Sequence, residues 1–277
     1  MTTATERVHP PAWSEPFEEP GRAALDRPLP LELERASVFS DANGAGTTVA
    51  IVDSGVEAHH EAVGGQVVAS VRVELETGRT RVVDDDEGDV VGHGTACAGI
   101  VHALAPAAEI VSVRVLGPDN RADGLAFAAA LEWVIGQGIG IANLSLSSKR
   151  ESLFAAFHDL ADQAYFANTL LIGAANNLPG PSYPSLFASV VSVAAHDVPD
   201  RWTWFYNPQP PVEFGAWGVD VPVAWRDGGR IVATGNSFAA PHITGLAALL
   251  RSRHTTATPF EIKAMLAATA SRNVPVR

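Results

Sequence analysis

From residue 49 onward, short β-rich apolar runs alternate with alanine- and glycine-rich segments of helical length. Strands that follow one another through helices pair in parallel, because each connection must carry the chain back across the sheet. The pattern predicts an α/β fold: a doubly wound, mainly parallel sheet with helices on both faces. Strands are expected near 49–52, 67–71, 110–116, 141–146, 170–174 and 190–194, and helices near 93–104, 123–135, 152–166, 237–251 and 259–270. At 277 residues and 47% hydrophobic content the chain can bury one full core. Residues 1–35 are rich in proline and glutamate and read as an extended arm or a short pro-segment, with residues 36–277 forming the domain.

Three strings carry chemistry. In TGNSFAAPHITG, Gly235 and Asn236 allow a tight turn, and Pro241 places Ser237 in the first turn of an apolar helix. A serine there caps its helix, or it serves as a nucleophile whose backbone N–H and helix end favour an oxyanion. In GHGTACAGI, His93 stands between Gly92 and Gly94, which leave its ring uncrowded, at the start of a small-residue helix. In VAIVDSG, Asp53 ends an apolar strand, at the edge where parallel sheets place their ligands. Each string alone has a bland reading: helix cap, structural histidine, turn aspartate. Together they offer a nucleophile, a base and an orienting carboxylate in the order Asp, His, Ser. A fourth string, LLIGAANNLPG, runs an apolar strand into Asn176-Asn177, where one side-chain amide can face an oxyanion or the pair can simply form the turn.

These windows resemble the subtilisin-like serine peptidases, the subtilases, over nearly all of residues 44–270. The resemblance implies a catalytic domain over 36–277, a triad of Asp53, His93 and Ser237, and hydrolysis of peptide bonds in peptide or protein substrates through an acyl-enzyme. It assigns the oxyanion amide to Asn177 and makes Ser145, Leu146 and Ser147 the segment that pairs with substrate, with Asn176 beside the specificity pocket. Leu131-Glu132-Trp133 and Tyr183-Pro184 match as well, and Cys97 stands where proteinase K-like members carry a cysteine. Three positions depart from the family pattern: Asn236 replaces threonine, and Ser147 and Asn176 replace glycines. All three are read as crowding the cleft, which motivates an alternative: a catalytically silent, peptide-binding relative. No calcium-binding insertion interrupts the helix after His93, so neither a metal nor a cofactor is expected.

A net charge of −12 argues against nucleic-acid binding and favours cationic peptides. The run Asp84-Asp85-Asp86-Glu87-Gly88-Asp89 reads as a solvated loop or as a source of negative field beside His93. No apolar stretch reaches membrane-spanning length, the N-terminal residues lack a signal-peptide pattern, and the chain has one cysteine; a cytoplasmic protein is expected. The tryptophan-rich stretch 202–225 is either a peptide-binding wall or partner surface, or a local aromatic core. Oligomeric state is not legible.

Overall fold

The computed structural model describes residues 11, 12, 14–18, 22 and 33–271. After a short helix α1 (Arg35–Val38), the chain forms β1 (Thr48–Asp53), β2 (Val67–Glu76), β3 (Arg79–Asp84), α2 (His93–Leu104), β4 (Glu109–Arg114), α3 (Gly124–Gly136), β5 (Ile141–Leu144), α4 (Phe154–Phe166), β6 (Leu170–Ala174) and β7 (Val191–His196). The last third contains β8 (Trp204–Tyr206), β9 (Phe214–Trp217), β10 (Val221–Trp225), β11 (Gly229–Ala233), α5 (Asn236–Arg253) and α6 (Pro259–Ala268).

Nine strands form one sheet in the order β3-β2-β4-β1-β5-β6-β7-β9-β8. Neighbours from β2 through β9 pair in parallel, and the edge strands β3 and β8 pair antiparallel. The strand β1 reads TVAIVD, with every residue after Thr48 buried. Its side chains alternate between two cores: Val49 and Ile51 join the layer formed with α2, α5 and α6, while Ala50 and Val52 join the layer formed with α3 and α4. A strand covered on both sides has to be apolar throughout, which is why its alternation is invisible in the sequence. The strands β2 and β4 lie to one side of β1, and β5, β6 and β7 to the other. The carboxyl ends of β1 and β5 therefore frame a topological switch point, where open sheets of this class hold their ligands.

Nine of the eleven expected elements extend, shorten or shift by one to five residues, and β3 and β8 to β11 are additional to them. The β2-β3 hairpin turns through Thr77 and Gly78, both at positive φ, and its outer strand is largely exposed. Its residues, RTRVVD, carry no apolar face to announce a strand. The β10-β11 hairpin turns through Asp227-Gly228, also both at positive φ, a recognised hairpin signal. The tryptophan-rich stretch is mostly local core, although Trp202 is exposed. Trp204 is fully buried and donates its indole N–H to the Leu266 carbonyl at 2.8 Å, and Trp217 and Trp225 pack against the cluster of Ala96, Ile100, Val221, Val223 and Phe238. Among the described residues, no helix is long and apolar enough to cross a membrane.

Candidate active site

Asp53 is the last residue of β1 and is wholly buried. Its Oδ1 accepts the Ser54 backbone N–H at 2.7 Å, and both carboxylate oxygens face His93 Nδ1, at 2.8 and 2.9 Å. That partner puts the proton on Nδ1 and leaves Nε2 as an acceptor. The Ser237 hydroxyl lies 3.0 Å from Nε2. The three residues that the sequence singled out are thus brought into one hydrogen-bonded chain. Burial is the largest single influence and disfavours charge on His93, but Asp53 against its ring, together with Cys97, outweighs it and lifts the imidazole pKa well above its ordinary value.

The glycines around His93 act differently from the expectation. Gly92 has φ +113°, a left-handed geometry that closes the turn into α2, and a side chain there would strike the Trp225 indole. A Cβ on Gly94 would come within 1.9 Å of the Gly55 carbonyl oxygen. The second glycine therefore lets α2 press against the end of β1, and that approach delivers the imidazole to Asp53.

Asp89, a residue the sequence reading missed as a functional one, completes this corner. One carboxylate oxygen accepts from Ser54 Oγ and from the N–H groups of Val91 and Gly92, and the other from Thr95 N and Oγ1, at 2.6 to 2.9 Å. It ties the end of β1 to the first turn of α2 and satisfies donors that a helix N-terminus leaves open. An acidic residue four positions before the histidine, with a threonine two positions after it, is a capping signal that could have exposed it. The acidic run is therefore only partly solvated: Asp84, Asp86 and Glu87 are exposed, while Asp85 and Asp89 turn inward. Asp85 is buried against Arg114 at 2.7 and 2.8 Å, and Glu87 pairs with the same guanidinium at 3.0 Å.

Ser237 is the second residue of α5, so its N–H has no helical acceptor, and none is present among the described residues. Pro241 lies four residues further, inside the helix, and lacks the N–H that would bond the Ser237 carbonyl. That carbonyl instead accepts from Ser145 Oγ at 2.9 Å and faces Cys97 Sγ at 3.6 Å. Ser145 in turn accepts from Asn143 Nδ2 at 2.8 Å. The side chain of Ser145 thus braces the nucleophile's backbone from behind. Cys97 is fully buried; burial, then the nearby Asp53, push its thiol pKa up, which suits a packing residue and not a second nucleophile.

Asn177 stands on the loop after β6, where its Oδ1 accepts the Asn236 backbone N–H at 2.8 Å. With the oxygen so engaged, the amide nitrogen is the free end, and it has no acceptor among the described residues. Beside Gly235 the cleft is bounded by Ser237 Oγ and Asn177 Nδ2, which a Cβ on that glycine would meet at 3.2 and 3.5 Å. Two unclaimed donors, Ser237 N–H and Asn177 Nδ2, therefore converge on the face of the nucleophile.

His93 and Ser237 open onto a cleft of about 500 Å³ whose walls include Ser145, Leu146, Ser147 and Asn176. All four residues expected to bind substrate line it. Ser148 pairs with Tyr183 through two 2.8 Å backbone bonds, whereas the N–H and C=O of Ser147 have no partner among the described residues. Asn176 lines the cleft, yet its Oδ1 accepts the Leu178 N–H at 2.8 Å and so also stabilises its own turn. Asn236 does not crowd the cleft. It is wholly buried, and its side chain points away from substrate, accepting from Ala195 N at 2.9 Å and donating to Ala12 O at 2.9 Å and Ala175 O at 3.0 Å. Arg121 and Arg150, exposed on the cleft wall, were not singled out. The one group of potential metal ligands among the described residues is Asp53, His93 and Cys97, the acid and base of this same site with the thiol behind them.

Comparison with known proteins places this geometry. The model of the Subtilase family matches residues 44–276. The chain is 30% identical over 242 residues to a thermostable alkaline protease of Halalkalibacterium halodurans, covering 82% of this chain and 63% of that one. It is 28% identical over 257 residues to thermitase of Thermoactinomyces vulgaris, covering 88% of each. Among solved structures, a cold-adapted subtilisin-like serine proteinase superposes with a TM-score of 0.69 at 27% identity, over 91% of this chain and 92% of that one. An aspartate ending β1, a histidine opening α2 and a serine opening α5, joined through hydrogen bonds over one cleft, agree with that match: the chain belongs to the subtilase family of serine endopeptidases.

Proposed function

We propose that Ser237 is the nucleophile, His93 its general base and Asp53 the group that orients and stabilises the imidazolium. The observation that carries the proposal is the 3.0 Å contact from Nε2 to Oγ beside two donors without acceptors. A substrate carbonyl set against the Ser147 backbone is attacked by Oγ as its proton passes to Nε2. Negative charge then develops on the carbonyl oxygen, where Ser237 N–H and Asn177 Nδ2 stabilise it. Collapse returns the proton from His93 to the leaving amine and leaves an acyl group on Ser237. Water, activated by the same imidazole, releases the acid. Neither donor has to break an existing bond to serve, so the site is preorganised.

The substrate is a peptide or protein chain. Ser147 and Asn176, in place of the family's glycines, support a preference for a small or polar residue immediately before the cleaved bond. A restricted pocket in turn supports a role in processing one precursor, and the reduced, buried Cys97 suits action in the cytoplasm. The intact triad counts against a silent binding protein. Labelling the purified protein with a fluorophosphonate and mapping the adduct tests the proposal: modification at Ser237, abolished by Ser237→Ala, supports it, and modification elsewhere or none at all overturns it.

A further inference from the structure

The N-terminal arm, read from its composition as an extension or a removable pro-segment, makes contacts that neither reading explains. Ala12 donates its backbone N–H to the Asn177 carbonyl at 2.8 Å. Its own carbonyl accepts from Asn236 Nδ2 at 2.9 Å. One residue of the arm thus bridges the loop that holds the oxyanion amide and the turn that holds the nucleophile. Asn236 completes the weld: its Oδ1 is taken by Ala195 N–H, its other amide proton faces Ala175 O, and its backbone N–H holds Asn177 Oδ1.

Five residues further on, Phe17 is wholly buried in a cluster with Ala175, Ala194, Phe205 and Val212. Ala175 is the foot of the Asn176-Asn177 loop, so the phenyl ring packs beneath the segment that Ala12 bonds from above. The ring is seated so closely that a Cβ on Gly215 would lie 2.4 Å from it. Arg22 reaches Asp197 at 3.0 Å and lies 5.4 Å over the Phe205 ring, on the same side of the sheet. Among the described residues, none that lines the cleft comes from the arm.

A pro-segment that blocks a protease has to occupy the cleft; Ala12, Phe17 and Arg22 instead make their contacts outside the cleft lining. We propose that the segment carrying Ala12, Phe17 and Arg22 is a permanent strap of the catalytic domain, with Ala12 and Phe17 as positioning residues that hold Asn177 in register with Ser237. An amide on an exposed loop stabilises a transition state only if its position is fixed beforehand. The Asn236 side chain, where the family pattern has threonine, is the docking point for the strap. The inference rests on reading Asn177 as an oxyanion donor.

The test compares the full chain with Ala12→Pro, which removes one N–H from the strap, and with Ala12→Gly, which keeps it. Phe17→Ala removes the anchor, and melting temperatures report whether each variant is folded. Hydrolysis of a chromogenic tetrapeptide anilide with alanine before the scissile bond gives kcat and KM. Backbone amide exchange over residues 170–180 gives a second readout that does not depend on activity. Loss of one backbone hydrogen bond should lower kcat about five- to tenfold in Ala12→Pro, with KM changed less than twofold. Exchange over 170–180 should quicken in parallel, while Ala12→Gly behaves as the parent. Phe17→Ala should exceed both effects. Unchanged kcat and unchanged exchange in Ala12→Pro would overturn the strap, and so would a rise in activity, which is the signature of a removed inhibitor. If the parent hydrolyses nothing and labels nowhere, the peptidase reading fails, and exchange alone then decides the strap: faster in Ala12→Pro supports it, unchanged ends it.

Discussion

Asp53 and His93 sit on the ends of buried core elements, whereas Asn177, across the same cleft, is exposed on a loop. The first pair is held from inside: by Gly94 against Gly55, by Asp89 across the first turn of α2, and by Ser145 behind the Ser237 carbonyl. Asn177 is held by two bonds only, from the backbone N–H of buried Asn236 to its Oδ1 and from Ala12 of the arm to its carbonyl. On the proposed roles, the group that accepts and returns protons is fixed by core elements, and the group that presents a dipole hangs from a loop by two hydrogen bonds. The first half should therefore resist local perturbation, and the second should be tunable without unfolding the protein.

The comparison breaks most sharply at Ser237. Ser237→Ala should lower kcat by about six powers of ten, the scale found for the corresponding residue of subtilisin, with the melting temperature nearly unchanged. A variant retaining more than a hundredth of the activity would remove the serine from the mechanism. Asn177→Ala comes next, with a loss of about two to three powers of ten in kcat and little change in KM, again the scale known for subtilisin's oxyanion asparagine. Should Asn176→Ala show that loss and Asn177→Ala not, the two asparagines have exchanged roles.

A smaller effect is expected on specificity. In Asn176→Gly, kcat/KM for substrates with phenylalanine or leucine before the bond should rise about 10- to 100-fold relative to those with alanine or serine. Identical profiles on one peptide library would mean that Asn176 serves only its turn with Leu178. The smallest expected effect is a shift in pH dependence. His93 must be neutral to take the Ser237 proton, and its pKa is raised by Asp53 against the opposing pull of burial. Activity should therefore be absent at low pH and rise through a midpoint above 6.5, the ordinary value for histidine. Removing the carboxylate charge with Asp53→Asn should move that midpoint downward, besides lowering kcat. A parent midpoint at or below 6.5 would show that burial prevails over the carboxylate.

How legible each half was follows from how it is held. Asp53, His93 and Ser237 lie in strings whose neighbours do local work: an apolar run that must be a strand, glycines that must close a turn, small residues that must pack as a helix. The loop asparagines come as a pair, and composition cannot choose between amide donor and turn former; in the structure Asn176 Oδ1 accepts the Leu178 N–H, whereas Asn177 Oδ1 accepts from Asn236 across the cleft wall. Asp89 is hard to single out because it ends a run of six mostly acidic residues in which Asp85 also turns inward, and only its spacing to His93 and Thr95 marks it. Asn236 was misread because a polar side chain next to a nucleophile suggests the cleft, and only the positions of Ala195, Ala175 and Ala12 show that it faces the other way.

By itself the sequence determined the mainly parallel sheet with helices on both faces and singled out Asp53, His93 and Ser237, because those signals depend on periodicity and on residues within a few positions of each other. The tertiary structure decided which donors are left without acceptors beside Ser237, which acidic residues turn inward, and what Ala12, Phe17 and Arg22 touch. Each of these depends on where one hydrogen-bonding group points across a gap of tens to hundreds of residues, a direction that local propensity does not encode.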